Sequence, residues 1–213
     1  MTPEVLVRSG TSPEAVPFVA EVTLLTAAKH LDLWELWDQT QRDAPPFWAY
    51  PWAGGQALAR YILDNPGVVA GRRVLDVASG SGLVAIAAAK AGAASVVAGD
   101  VDPNAVAAIG INAQANDVTV TARVFDLAAD RAADAEVVLA ADVFYQRELA
   151  GLALRFLRRA AGAGADVLVS DPGRAFLPEA SLTRLASYQV PVLTVLEDAP
   201  VKEVTVYGLG RLA

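Results

Sequence analysis

The chain has 213 residues, 54% of them hydrophobic and 19% charged, with a formal net charge of −7, no cysteine and a single histidine. This suits one globular domain and excludes a disulfide framework, a thiol nucleophile and a multi-histidine metal site; with His30 assigned no role, a serine triad is not expected either, nor any metal. The acidic balance opposes nucleic-acid binding, which depends on neutralising phosphates, and favours a cationic ligand or a basic protein surface.

The first residues, MTPEVLVRSGTSPEAVPF, show neither the basic-then-apolar order of a secretory signal nor an Arg- and Ser-rich transit helix. From Glu14 to Gln41, apolar Val19, Val22 and Leu25, then Leu33, Leu36 and Trp37, recur at helical spacing, which predicts an N-terminal helical extension over residues 1–44. Pro45 and Pro46 break it, and an aromatic loop, Phe47 to Trp52, runs into Gly54-Gly55. A helix is expected from Gln56 to Asp64, stopped by Asn65-Pro66-Gly67. Beyond Gly71 short β-branched runs alternate with Ala-rich segments. Strands are predicted at Arg73–Val77, Ser95–Gly99, Val118–Val124, Glu136–Ala140 and Ala165–Ser170, and helices at Leu83–Ala91, Pro103–Asn116, Gln146–Ala161 and Phe176–Ser187. Such alternation implies a parallel sheet with right-handed crossovers. The tail differs: Pro191–Glu197 and Lys202–Leu209 are separated only by Asp198-Ala199-Pro200, too short for a crossover helix, so this pair is expected to be antiparallel. The expected fold is α/β, a Rossmann-like three-layer sandwich whose mostly parallel seven-stranded sheet ends in an antiparallel hairpin. One domain is expected, with residues 45–213 as its core. Lys90 interrupts the longest Ala/Val-rich region well short of the ~20 apolar residues of a membrane span. A cytoplasmic monomer that meets neither membrane nor nucleic acid is the expectation.

The chemistry concentrates at strand ends. Val74-Leu75-Asp76-Val77-Ala78-Ser79-Gly80-Ser81-Gly82 is a strand entering a Gly-containing turn that opens a helix, where close backbone approach and free N–H groups suit a nucleotide-type ligand. Asp100, at the end of the next strand, is placed to accept ribose hydroxyls. Asp102 precedes Pro103 and reads as a helix cap. Asp126 follows the third strand, where a carboxylate can accept from an adenine amino group. Ala141-Asp142-Val143-Phe144-Tyr145 follows the fourth. All fall on the carboxyl edge, where open α/β sheets bind ligands. Asp171, at the end of strand five, suits a turn before Pro172 as well as it suits a function.

Asp142 to Tyr145, an acidic residue, two variable positions and an aromatic, resembles the marker of protein-lysine methyltransferases within the seven-strand class I methyltransferases. Pro46 to Tyr61, Leu75 to Ala85 and Ser170-Asp171-Pro172-Gly173-Arg174 together look like the electron-transfer flavoprotein β-subunit lysine methyltransferases, from about Pro45 to the C-terminus. Ala78 departs from the wider class, many members of which carry a glycine there.

The resemblance implies S-adenosylmethionine as methyl donor, S-adenosylhomocysteine as product and lysine ε-amines of that β-subunit as acceptors. It places Asp142 and Tyr145 in the catalytic role. Trp48, Trp52, Asp76, Ala78, Ser79, Gly80, Asp100, Val101, Asp126, Leu127 and Ala141 would hold the cofactor, with Phe144 and Arg174 on the substrate side. A lysine with a reference pKa of about 10.4 is seldom a nucleophile at neutral pH, so the site must capture an ammonium and let it lose its proton. Another protein, such as a ribosomal one, or a small amine remains open as acceptor. A nicotinamide-dependent oxidoreductase would also fit the Gly turn and Asp100, but leaves Asp126, the Asp142–Tyr145 segment and the terminal hairpin unexplained. A non-catalytic cofactor-binding module is the third possibility.

Overall fold

The structure is a computed structural model that describes residues 2–27, 45–132, 134–192 and 199–210. It opens with helix α1, Pro3–Gly10, started by Pro3 behind Thr2, whose hydroxyl accepts from the Val5 N–H. An antiparallel hairpin follows, β1 (Ser12–Val16) and β2 (Val19–Thr26). The helix expected from Glu14 is therefore corrected as far as Thr26, and its remainder to Gln41, His30 included, lies outside the described residues. The apolar spacing that suggests a helix competes with a two-residue alternation: Val22, Leu24 and Thr26 are buried in turn on β2, and β-branched residues prefer that geometry. The open edge of β2 is satisfied from another element. Asn116 accepts from Thr23 N at 3.0 Å and Asn112 from Leu25 N at 2.8 Å, so two amides stand in for a missing strand.

The main sheet has the order β5-β4-β3-β6-β7-β9-β8, with β3 Arg73–Val77, β4 Ser95–Asp100, β5 Thr121–Val124, β6 Val137–Ala141, β7 Asp166–Asp171, β8 Thr183–Pro191 and β9 Val201–Leu209. The strands from β3 to β7 are parallel, and β9 lies antiparallel between β7 and β8. Four further helices are described: α2 Ala53–Asp64, α3 Leu83–Lys90, α4 Pro103–Ala115 and α5 Arg147–Gly162. Alternate side chains of the central strands feed opposite layers. Val74, Val137 and Leu139 pack with Leu58, Ile62, Val84 and Ile109 from α2, α3 and α4, whereas Leu75, Val77 and Val138 meet Phe156 and Leu157 of α5. Rossmann-like layering is thus observed, with the terminal antiparallel pair as expected.

One expected element changes type. Phe176–Ser187 is expected to be a helix, but Glu179–Ser181 forms a single 3₁₀ turn and Thr183 already begins β8. The pairing explains it: Ser187 Oγ lies 3.0 Å from Thr205 Oγ1 and Arg184 donates to Glu203 at 3.2 Å, both across the hairpin, contacts that outweigh the helical preference of Leu and Ala. The first hairpin strand is thus Thr183–Pro191 rather than Pro191–Glu197, whose residues 193–197 lie outside the described residues. Among the described residues no helix is long and apolar enough to cross a membrane.

Strand order reverses between β3 and β6: β3 continues to β4 on one side, and the chain returns to place β6 on the other. The carboxyl ends of these two strands therefore flank the crevice where such sheets take ligands.

Candidate active site

At the end of β3, Asp76 is 1% exposed and accepts from Ser79 Oγ. Burial, opposed by the Ser79 hydrogen bond, pushes its pKa up to about 7. The turn after β3 uses the left-handed region at Ala78 (φ 51°) and Gly80 (φ 55°). Ala78 thus holds, with a Cβ, a backbone geometry that glycine adopts more easily. Because Asp76 binds its proton more tightly folded than unfolded, it favours folding below about pH 4 and loses that contribution as pH rises through 7. Asp76→Asn should therefore gain on the wild type in urea unfolding of ligand-free protein as pH goes from 5 to 8. A gap unchanged over that range would show that the carboxyl titrates normally.

At the end of β4, Asp100 holds the turn from the other side. Its Oδ2 accepts from Gly80 N at 2.9 Å and its Oδ1 from Asp102 N at 3.0 Å, while burial raises its pKa. Each oxygen retains a second lone-pair direction for a ligand hydroxyl. Asp102 caps α4 by accepting from Asn104 N at 2.8 Å, as its place before Pro103 predicts. Val101 stands between the two aspartates, 68% exposed, an apolar surface at the rim of the crevice.

Asp142, after β6, is another left-handed residue (φ 54°). Its backbone N–H reaches Ser170 O at 3.1 Å, and its Oδ2 accepts from Gly55 N at 3.0 Å. The carboxylate thus sits on the N-terminus of α2, whose own cap residue Trp52 supplies no side-chain hydrogen bond; a negative group is favoured there by the free N–H groups and the helix dipole. Ser170 Oγ donates to Gly54 O at 2.7 Å, so β6, β7 and α2 are joined at one point. Arg174 brings Nη2 to 3.8 Å from Asp142 Oδ1.

Aromatic rings close the site. Phe47 meets Trp52 and Tyr145 edge-on, with centroids 5.8 and 5.6 Å apart, and Trp52 Nε1 donates to Phe47 O at 2.8 Å, fixing the loop. Burial, then the charges of Asp100 and Asp142, raise the Tyr145 pKa, so the hydroxyl stays protonated at neutral pH. Together these elements enclose a cavity of about 460 Å³, within the range of small-molecule sites. Its lining includes Trp48, Trp52, Ala78, Gly80, Asp100, Val101, Ala141, Asp142, Tyr145 and Arg174.

The family description "Ribosomal protein L11 methyltransferase (PrmA)" matches residues 56–149, from α2 to the start of α5. The electron transfer flavoprotein beta subunit lysine methyltransferase of Xenopus laevis is 35% identical over 97% of this chain and 86% of its own length. This chain belongs to that lysine methyltransferase family. The Danio rerio member is 43% identical over 68% of this chain, an alignment that spans 59% of the fish protein. Among solved structures, the magnesium protoporphyrin IX methyltransferase of Synechocystis PCC 6803 with bound SAH matches at a TM-score of 0.52, with 14% identity, 73% of this chain and 82% of that one covered; it shares the fold.

As a member of that methyltransferase family the chain is an enzyme, and the oxidoreductase and docking-module readings fall away. Several residues expected in the site do not line this cavity. Phe144 is fully buried in the α5 layer and forms no wall of the cavity; the left-handed backbone at Asp142 breaks the side-chain alternation beyond β6, so Phe144 does not share the facing of Asp142 two residues before it. Asp126 is exposed and accepts from Ala128 N at 2.8 Å, closing its own turn, and Leu127 packs into the core. Neither appears in the cavity lining, and nor do Asp76 and Ser79, which support it from beneath. Pro45, Phe47, Asp102, Ala105, Val143, Gln146 and Leu149 line it without having been singled out for it. For Phe47 the signal is present in the aromatic loop; for Ala105 and Leu149, on the first turns of α4 and α5, nothing in the sequence separates a lining position from a core one.

Proposed function

We propose that the chain transfers the methyl group of S-adenosylmethionine to lysine ε-amines of the electron-transfer flavoprotein β-subunit and releases S-adenosylhomocysteine. The observation that carries this reading is the placing of Asp142 and Tyr145 in one cavity with Asp100 and the Gly80 turn, in a chain 35% identical to a named lysine methyltransferase over nearly its whole length. The cavity chemistry fits the donor: Asp100 offers acceptor directions to a ribose, small Ala78, Gly80, Ala105 and Ala141 leave room, and Val101 gives an apolar face to a base. When bound, the sulfonium supplies an activated methyl with a good leaving group. The remaining work belongs to the protein: alignment and exclusion of water. Asp142 takes the lysine head at the end of β6, and Phe47, Trp52 and Tyr145 form aromatic walls that disfavour its full hydration. The lysine ammonium releases one proton to solvent, and the lone pair of the amine so formed would make the N–C bond as the C–S bond breaks with its electrons kept by sulfur. No strong general base is needed.

A cytoplasmic, monomeric enzyme is part of the same reading, and its action on protein rather than nucleic acid is supported by the net charge of −7. Incubation with methyl-labelled donor should label purified flavoprotein β-subunit on lysine, read by peptide mass spectrometry, and leave ribosomal protein L11 unlabelled. Label confined to L11 or to small amines would overturn the substrate.

A further inference from the structure

The Asp142 carboxylate is approached by positive groups on two sides. One is the Gly55 N–H at the start of α2, 3.0 Å from Oδ2; the other is the Arg174 guanidinium, 3.8 Å from Oδ1. Arg174 is aimed there by a turn after β7: Asp171 Oδ1 accepts from Arg174 N at 2.6 Å, and Gly173 takes φ 84°. Both side chains are screened from solvent, Arg174 at 27% and Asp142 at 14% exposure, so their charges act on each other and on the cavity with little damping by water. Among the described residues the other ionisable groups facing this space are Tyr145, kept protonated, Asp100 with Asp102 across the cavity, and Asp171, whose carboxyl pKa is raised by burial against the lowering effect of the Arg174 charge beside it. From α5, Arg147 is turned onto the Phe176 ring.

A carboxylate held in this way does not offer a full negative charge to a further cation. A lysine head that reaches Asp142 must also stand near a guanidinium that cannot give up its proton. We propose that Arg174 sets the protonation state of the acceptor: it is a cation already installed at Asp142, so the site accepts the lysine as a neutral amine. The incoming ammonium gives its proton to solvent, and the amine takes a hydrogen-bonding place at Asp142 rather than an ion-pair place. This rests on the lysine-transfer reading and adds to it the group that makes the nucleophile at neutral pH. It also differs from the simpler use of Arg174 as a docking contact for an acidic protein surface.

Single-turnover methylation of the flavoprotein β-subunit, followed from pH 6.5 to 10 for wild type, Arg174→Gln and Arg174→Lys, tests it. S-adenosylhomocysteine affinity reports on the fold of each variant. Wild-type rates should level off well below the reference lysine pKa of about 10.4. Arg174→Gln should be about tenfold slower at pH 7 and draw level near pH 10, an upward shift of about one unit, with KM for the protein unchanged or lower. Arg174→Lys, which keeps a cation at Asp142 until its own ammonium titrates, should keep the wild-type shape below about pH 9 and depart from it above. Equal slowing at every pH, or a raised KM with an unshifted profile, would overturn the proposal in favour of a structural or docking role. If Arg174→Gln does not bind S-adenosylhomocysteine, the wild-type curve decides: a plateau supports the proposal, and a rate still climbing at pH 10 overturns it. Absence of any wild-type methylation would defeat the substrate reading itself, and this inference with it; an active wild type with an unshifted variant defeats the inference alone.

Discussion

Gly54→Ala should remove nearly all methyl transfer while S-adenosylhomocysteine still binds. A Cβ at Gly54 would stand 2.5 Å from Asp142 Oδ2, 2.7 Å from Cγ and 2.9 Å from Oδ1, closer than atoms pack. Helix α2 cannot retreat freely, because Ser170 Oγ holds Gly54 O and Ala53, Ala57 and Leu58 behind it are fully buried. Asp142 must therefore swing away, giving up the Gly55 N–H and its place beside Arg174. Displacement of a reacting group by about 1 Å is enough for a loss of roughly 100-fold, and overpacking of this kind costs about 1–3 kcal/mol of stability. The Gly80 and Asp100 contacts lie on the other side of the cavity and should be untouched. Steady-state rates, urea unfolding and calorimetric S-adenosylhomocysteine binding separate these effects. Wild-type turnover in a folded Gly54→Ala protein would mean that the Asp142 position does not matter to transfer.

This relation between Gly54 and Asp142 also marks where the sequence stops being informative. The strands that build the carboxyl edge are legible because β3, β4, β6 and β7 are short β-branched runs between Ala-rich segments, a pattern that only a parallel sheet buries well. Asp100 and Asp142 can be placed for the same reason: strand ends fix the depth of the next residue. The sequence does not say which strand-end residue turns toward the crevice. Asp126 lies two residues beyond β5, an edge strand of four residues, and closes a local turn, a use that looks identical in sequence to ligand binding. Phe144 is two residues beyond Asp142 and reads as a wall because aromatics suit one; the left-handed backbone at Asp142 changes the facing of the residues after it, and no sequence pattern reports that φ. The two amides that Asn112 and Asn116 offer to β2 are equally hidden, since their partners are 87 and 93 residues away in the chain. The β1–β2 hairpin they support is masked by a spacing that fits a helix and a strand about equally.

The same contrast between two strand-end carboxylates gives the other large expected effect. Asp100→Ala should weaken S-adenosylmethionine binding by about 100-fold or more, whereas Asp126→Ala should leave it within about twofold. Asp100 does two things at once. It fixes the turn through Gly80 N and Asp102 N, and under the proposed function it is the acceptor for the ribose. Hydrogen bonds to a charged group contribute roughly 1.5–3 kcal/mol each, and donors left buried without a partner add their own penalty. Losing even one such bond to the ligand accounts for about tenfold to a hundredfold, before the loosened turn is counted. The Asp126 carboxylate, engaged with Ala128 N and exposed, has no comparable place in the cavity. Isothermal titration of the two variants, with circular dichroism to establish folding, makes the comparison. Equal weakening by both would mean that the ligand reaches beyond Val101 onto the β5 turn, and that the boundary of the site drawn by the cavity walls is too tight.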